Sequence, residues 1–173
     1  VNAPINLPEG NNFSTKLGNN GTTYTYYVIT SLGAQDSNTG TDLQGMKGVL
    51  SRKYALGSDI DASLTSTFNS GAGWNSGAGF EPVSTFTGIF DGLGHTITGL
   101  KINLPTTNGY VGLFGDTNSS AIVRNVGLVD VNITGKHNTG GVVGYNTGTI
   151  SNSYSTGAVT GKGIGTAIDT GEV

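Results

Sequence analysis

Two stretches of the sequence decide the expected fold: residues 112–126 read GLFGDTNSSAIVRNV, and residues 141–153 read GVVGYNTGTISNS. Each stretch opens on a Gly with two apolar residues after it and continues to an apolar residue, a polar residue and an Asn. An earlier stretch, residues 88–100, reads GIFDGLGHTITGL and resembles both. A unit of this size that recurs along a chain cannot bury its apolar face alone, so such repeats are typical of solenoids.

Each repeat contains two segments that align with the corresponding segments of the other repeats. Gly88-Ile89-Phe90 aligns with Gly112-Leu113-Phe114 and Gly141-Val142-Val143, and Ile97–Leu100 aligns with Val123–Val126 and Ile150–Ser153. This alignment predicts that Gly99, Asn125 and Asn152 form one row of corners. Gly and Asn are the residue types that best tolerate the left-handed backbone angles of such corners. The alignment also predicts an inward-facing core of Ile89, Phe90, Ile97, Leu100, Leu113, Phe114, Val123, Val126, Val142, Val143 and Ile150.

Short apolar runs separated by Gly- and Asn-rich turns predict an all-β chain, with at most a short helical turn at Thr41–Met46. Two or three small strands in each repeat match one coil of a parallel β-helix. An antiparallel sandwich also uses short strands, but it does not explain a two-part repeat with matching corners.

The chain is expected to divide into four regions. Residues 1–21 form a leading segment that joins an upstream part of a longer protein. Residues 22–62 form the first irregular coils, and 63–82 a Gly-, Ser- and Asn-rich loop that leaves the stack. Residues 83–173 form the repeat coils.

Composition excludes several classes of protein. The chain of 173 residues has 30 Gly, no Cys and a net charge of −3. Disulfides, thiolate metal sites and Cys nucleophiles are therefore impossible. Its eight Lys and Arg residues are spread singly, which argues against a nucleic-acid partner, and no apolar run is long enough to span a membrane.

Few residues suggest chemistry, and no catalytic motif is present. Asp59 and Asp61 point to the same face of a strand and, with Asp91, could offer oxygen ligands to Ca²⁺; solvent-facing aspartates are the alternative. No other cofactor is expected. His95 precedes a strand and is expected to be a corner residue that hydrogen-bonds between coils.

Aromatic residues could bind sugar rings. Trp74, Phe80 and Tyr110 are the candidates for a carbohydrate contact, and the favoured alternative is that Trp74 folds back over the side of the solenoid. Four asparagines satisfy the Asn-x-Ser/Thr pattern of glycosylation sites: Asn12, Asn20, Asn118 and Asn132.

Several segments together resemble the filamentous-haemagglutinin-like adhesins of bacterial two-partner secretion. They include residues 54–63, 74–83, 86–97 and 111–115, and the closing residues 140–157 are similar to the GLUG repeat. The resemblance covers residues from about 30 to 161. It implies a right-handed parallel β-helix in a large adhesin, secreted or held at the bacterial surface, with roles in attachment and virulence.

The resemblance also implies partners. These are a host or cell-surface receptor or glycan of unknown identity and, for the full-length protein, an outer-membrane transporter. We therefore expect a non-catalytic structural and display segment of an adhesin. The alternatives are a carbohydrate-binding module on a β-helix and a polysaccharide-degrading enzyme fragment.

Overall fold

The computed structural model describes residues 3–66 and 73–163. In these residues the chain is all-β and forms a β-solenoid of about four turns, which confirms the predicted fold class; the right-handedness of the solenoid stays a prediction. The strands are β1 (Gly10–Lys16), β2 (Thr23–Ile29), β3 (Lys53–Leu56), β4 (Ile60–Asp61), β5 (Ile89–Asp91), β6 (Thr96–Thr98), β7 (Lys101–Leu104), β8 (Phe114–Thr117), β9 (Ile122–Arg124), β10 (Gly127–Gly135), β11 (Val143–Asn146), β12 (Thr149–Ser151) and β13 (Tyr154–Gly161).

The strands form three sheets that run along the solenoid axis. Sheet A has the order β1-β2-β3-β5-β9-β12, sheet B the order β13-β10-β6-β4 with β7 also paired to β10, and sheet C contains β11 and β8. Every strand-to-strand pairing in the described residues is parallel except that of β1 with β2, which is antiparallel. An isolated antiparallel bridge also joins Gly79 to Ile102. Isolated parallel bridges from Val83 to Phe114 and from Phe86 to Thr117 extend sheet C.

Inward side chains of the same register lie over one another and form rows along the axis. In sheet A one row runs through Tyr54, Phe90, Val123 and Ile150. In sheet B one row joins Ile60, Ile97 and Leu128. The Phe114 ring lies 4.8 Å from that of Phe86 and 5.3 Å from that of Phe90, so sheets A and C meet through aromatic contacts. The main core is therefore continuous from coil to coil.

A second, smaller apolar cluster lies on the outer face of sheet A. Its buried members are Tyr26, Val28, Ala55, Ile89 and Leu93, and residues of the N-terminal segment, Leu7 and Phe13, pack against it. The Phe13 and Tyr26 rings are 5.3 Å apart. The N-terminal segment thus covers a face that would otherwise be exposed, and residues 10–16 form a strand that the sequence did not predict.

Of the eleven residues expected in the core, ten are at most 8 % exposed and Ile150 is half-buried. Ile89 belongs to the outer cluster and not to the main core. The reason is its register: Ile89 alternates with the inward Phe90, which lies in the row of Tyr54 and Val123.

The predicted alignment of the first repeat is wrong. Phe90 lies in sheet A, opposite Val123, whereas Phe114 lies in sheet C, opposite Val143. Likewise Ile97 pairs with Leu128 in sheet B, and it is Val123 that pairs with Ile150. All three sheets need a short apolar strand beside a turn, so similar sequence motifs occupy different faces of one coil.

The predicted corner residues all have the left-handed conformation, with φ of 72° at Gly99, 56° at Asn125 and 49° at Asn152. Gly99, however, lies in a different row. Gly99 directly follows β6, and the residue in register with it on the neighbouring strand β10 is Asp130, which has φ of 54°. Asn125 and Asn152 form a row of their own, between sheets A and B.

Helical structure is limited to two 3₁₀ helices in the described residues, Gln44–Gly48 and Ser63–Ser66. Trp74–Gly77 is a left-handed turn, with φ of 53° at Asn75 and 54° at Ser76. The first helix lies at the predicted turn, and the second helix and the left-handed turn lie in the predicted loop 63–82, whose residues 67–72 fall outside the described residues. The C-terminal end of this loop packs against the stack: Phe80 is 1 % exposed, and its N–H donates to the Lys101 carbonyl at 2.8 Å. Gly79 is required there, because a Cβ would lie 2.2 Å from that carbonyl oxygen.

The core rows make a testable prediction. Val126 is 1 % exposed, so Val126→Asp places an unpaired carboxylate in the core and is expected to lower the free energy of unfolding by at least about 3 kcal/mol. Asn132→Asp adds the same charge at an exposed position of β10 and should change it by less than about 0.5 kcal/mol. Thermal unfolding followed by circular dichroism measures both. An unchanged melting temperature for Val126→Asp would contradict the core assignment.

Candidate functional site

A polar cluster built around Asp91 lies on the outer face of sheet A. Asp91 is 3 % exposed and follows Phe90 in β5. Its Oδ2 accepts a hydrogen bond from Arg124 Nε at 2.7 Å, and its Oδ1 accepts from Asn125 Nδ2 at 2.9 Å and from the Leu93 N–H at 3.0 Å. The buried carboxylate is therefore paired with a cation and bonded to three donors, as a buried charge requires.

Arg124 links this cluster to the N-terminal hairpin. Its Nη2 donates to the Tyr26 hydroxyl at 3.2 Å, across the two strands, β3 and β5, that lie between β9 and β2. Burial acts to lower the pKa of Arg124, but the hydrogen bond and the charge of Asp91 outweigh it and raise the pKa. Arg124 is therefore held as a cation in one position, with a third of its side chain exposed.

The corner asparagines continue this cluster along the axis. Asn125 donates to Asp91, and Asn152 Nδ2 donates in turn to Asn125 Oδ1 at 3.5 Å. Each coil therefore contributes one polar side chain to a ladder parallel to the apolar rows. Asn125 and Asn152 tolerate the left-handed conformation of the corner, and their side chains also form the hydrogen bond between the two coils.

His95 is placed between two other parts of the chain. It is 1 % exposed, and its Nδ1 lies 3.1 Å from Asp59 Oδ1 while its Nε2 lies 2.9 Å from the Ile5 carbonyl oxygen. The expectation that His95 joins neighbouring coils agrees with this geometry, since Asp59 belongs to the preceding coil. The sequence did not indicate the second contact, to the N-terminal segment.

The three aspartates considered for Ca²⁺ are engaged separately. Asp91 binds Arg124 and Asn125, Asp59 accepts from the Thr96 N–H at 2.8 Å, and Asp61 accepts from the Ser63 N–H at 2.8 Å. Within residues 3–66 and 73–163, no group of three or more His, Asp or Glu side chains is placed to hold a metal ion. Calcium binding at these aspartates stays a prediction.

The aromatic residues considered for sugar binding differ in how deeply they are buried. Phe80 is inside the core, Trp74 is half-buried and packs against the core, and Tyr110 is 42 % exposed. Trp74 therefore adopts the alternative placement, over the side of the solenoid. The Tyr110 ring stacks on that of Tyr145, with centroids 4.8 Å apart and ring planes 18° from parallel. Tyr145 was not predicted, because the alignment did not place it beside Tyr110.

One end of the solenoid has open strand edges. Strands β11, β12 and β13 each pair with the preceding coil on one side, and no strand in the described part of the chain pairs with the other side. A groove at this end is lined by Asn146 and residues 148–153. The apolar residue there, Ile150, is half-buried.

Comparison with known proteins gives a motif match at this end and two matches over most of the chain. Residues 135–160 match the GLUG motif. That match confirms the GLUG part of the resemblance and covers β11, β12 and most of β13. No solved structure matches the chain.

Two longer proteins are similar over most of the chain. Halomucin of Haloquadratum walsbyi is 40% identical over 141 residues, which is 80% of this chain and 1% of that protein. A protein of Evansella cellulosilytica, provisionally named "Gly-rich membrane protein", is 31% identical over 146 residues, which is 80% of this chain and 15% of that protein. The chain thus spans a small part of the relatives that it matches. In the described residues, no helix has the length and apolar character needed to cross a bilayer.

The Asn125 corner gives a prediction. Asn125→Ala forces a residue with a Cβ and no polar group into the left-handed region and removes the bond to Asp91, so we expect a loss of about 2 kcal/mol of stability. Asn125→Gly keeps the left-handed backbone free of strain and removes only the side-chain hydrogen bonds to Asp91 and Asn152, so it should lose about 1 kcal/mol. Urea unfolding compares the two. Equal stability of the Ala and Gly variants would show that backbone conformation does not select Asn125.

The Asp59 contact gives a pH dependence. The hydrogen bond from the Thr96 N–H holds the pKa of Asp59 below its ordinary value of 3.8, with a further contribution from His95. A lowered folded-state pKa stabilises the fold fully above the unfolded-state value and no longer does so once pH falls through the folded-state value. Asp59→Asn should therefore melt at a lower temperature than the wild type at pH 6, and the difference should shrink as the pH falls from 4 toward 2.

Asp36→Asn is the control, because it removes the same charge from an exposed turn. The measurement is the melting temperature across that pH range. A difference between wild type and Asp59→Asn that stays constant down to pH 2 would show that the Asp59 carboxylate does not stabilise the fold through its charge.

Proposed function

We propose that the chain is a non-catalytic structural segment of a large surface protein, secreted or held at the cell surface, that extends the protein and mediates attachment. Similarity to halomucin and to the Gly-rich membrane protein supports a surface location. By resemblance, the full-length protein is a two-partner-secretion adhesin that leaves the cell through an outer-membrane transporter. No residue of this chain is assigned to that export step.

The open end of the solenoid is the observation that carries the extending role. Val123 and Ile133 are 0% exposed, and each is covered in its row by a residue of the next coil. The covering residues, Ile150 and Val159, are only half-buried. A further coil would therefore bury Ile150 and Val159 as Val123 and Ile133 are buried.

The other end of sheet A has a different character. There β1 runs antiparallel to β2, so the parallel stack stops at this strand. The side chains of Asn11, Asn12, Ser14 and Lys16 are exposed on β1. Polar and charged side chains of this kind protect edge strands from pairing with other chains. Sheet A is therefore closed at one edge and extendable at the other.

The repeat itself specifies what fits the open end. Residues 27 positions apart face one another at Val123 and Ile150, and residues 26 positions apart at Gly135 and Gly161. A matching coil would present an apolar residue over Ile150 and an Asn or Gly over Asn152. We propose that another coil of GLUG type occupies this end in the full-length protein.

Inserting one more coil tests this function. A second copy of residues 136–161, placed directly after Gly161, supplies strands equivalent to β11, β12 and β13 and keeps the natural spacing. Completing the burial of Ile150 and Val159 should raise the free energy of unfolding by about 2 kcal/mol, with additional parallel β-structure in circular dichroism. Amide hydrogen exchange of Ile150 and Val159 should slow.

Two controls accompany the insertion. A scrambled insert of the same composition, and a copied insert in which the residue equivalent to Ile150 is Asp, should both leave the stability unchanged or lower it. If the authentic copy gives no more stability or exchange protection than the scrambled copy, the open end does not accept a coil and the extending role is overturned.

A further inference from the structure

A groove on the outer face of sheet A remains unexplained by the extending role. It lies between the turn of the β1–β2 hairpin and the surface of the sheet, and it is lined by residues of both, including Lys16, Leu17, Tyr24 and Arg124. Arg124 lies in β9, three strands away from β2. The hairpin must therefore reach over the sheet to bring these residues together.

The groove gathers positive charge in a chain whose net charge is −3. Lys16 is exposed on β1, and no ion pair or hydrogen bond engages its side chain in the described residues. Lys53 Nζ lies 5.2 Å from the centre of the Tyr24 ring, at the side of the groove. Two cations, Lys16 and Arg124, therefore line the groove, and a third, Lys53, lies beside Tyr24. Asp91, the carboxylate that pairs with Arg124, is 3 % exposed and accepts three hydrogen bonds.

Arg124 is held in a position to bind a ligand. Its Nε donates to Asp91 and its Nη2 to Tyr26, which uses two of the five N–H groups of a guanidinium. The remaining N–H groups belong to a side chain that is 33% exposed and lines the groove. A guanidinium fixed in this way loses little conformational entropy when it binds a carboxylate or a sulfate.

The groove also has an apolar, partly aromatic surface. Tyr24 is 42 % exposed and Leu17 is 90 % exposed, and both line the groove. Aromatic side chains beside a few fixed polar groups are typical of small-ligand sites. Sugar rings offer apolar C–H faces for such contacts, and acidic sugars offer the charge that Lys16 and Arg124 would bind.

We propose that this groove binds a saccharide that carries carboxylate or sulfate groups. Tyr24 and Leu17 contact the sugar ring, Arg124 and Lys16 bind the anionic group, and Lys53 adds positive charge. Three cations are fewer than the six to ten phosphate contacts of a typical nucleic-acid site, so the acidic saccharide is favoured over a nucleic acid. The inference gives the proposed attachment role a ligand class and rests on that role for its biological meaning.

Isothermal titration calorimetry of the full chain tests the proposal. The probes are a trimer of galacturonic acid, the same trimer with its carboxylates methyl-esterified, a heparin-derived tetrasaccharide and a single-stranded DNA 12-mer. We expect the acid trimer or the heparin tetrasaccharide to bind at least tenfold more tightly than the esterified trimer. Tighter binding of the acid trimer indicates carboxylate recognition, and tighter binding of the heparin tetrasaccharide indicates sulfate recognition. Tightest binding of the DNA, or no binding of either acidic saccharide at 5 mM, overturns the proposal.

Four variants locate the site. Lys16→Gln should weaken binding about tenfold and lower the salt dependence of binding, whereas Lys162→Gln removes the same charge from an exposed position at the other end of the solenoid and should change neither. Tyr24→Ala should weaken binding about tenfold, and Tyr24→Phe, which keeps the ring, should retain it. Circular dichroism establishes that each variant is folded.

Equal weakening by Lys16→Gln and Lys162→Gln would show that the saccharide follows overall charge and not this groove, and would overturn the assignment. The coil-insertion experiment reads stability, not binding. Failure of the saccharide test therefore leaves the extending role intact, and failure of the insertion test leaves the groove to be judged on binding alone.

Discussion

The structure depends on the stacking of like side chains along one axis. Each coil contributes short strands that have no core of their own, and burial is achieved only when the next coil covers them. Val123 under Ile150 and Ile133 under Val159 show the difference between a covered and an uncovered row. Backbone bonds between parallel strands and the ladder from Asp91 to Asn152 hold the same register, so apolar and polar contacts specify one spacing.

The fold class could be predicted from the sequence, but the register of the first repeat against the later ones could not. The Gly-x-Phe motifs at residues 88–90 and 112–114 look alike because every face of a coil needs a small residue at a turn and two apolar residues after it. Only the later pairs, such as Val123 with Ile150, were assigned to the correct face. The left-handed corners were predicted correctly as conformations, because Gly and Asn suit them on any row.

The outer face of sheet A shows what local sequence patterns cannot predict. Arg124 and Tyr26 are 98 residues apart and meet only because the hairpin covers a parallel sheet from outside. Alternation of Ile89 with Phe90 was a usable signal that one side of the strand faces a second apolar cluster. The polar composition of residues 10–16 concealed β1, and nothing in the repeat indicated a partner for it.

The antiparallel β1 gives the molecule a direction. The part of the chain that leaves a ribosome first forms the closed edge of sheet A, and each later coil then meets an edge that is already in place. Closing a loop of one coil costs little chain entropy compared with the long-range pairing of a sandwich. The hairpin can thus serve as a template for vectorial folding, in which order spreads from the N-terminal edge one coil at a time.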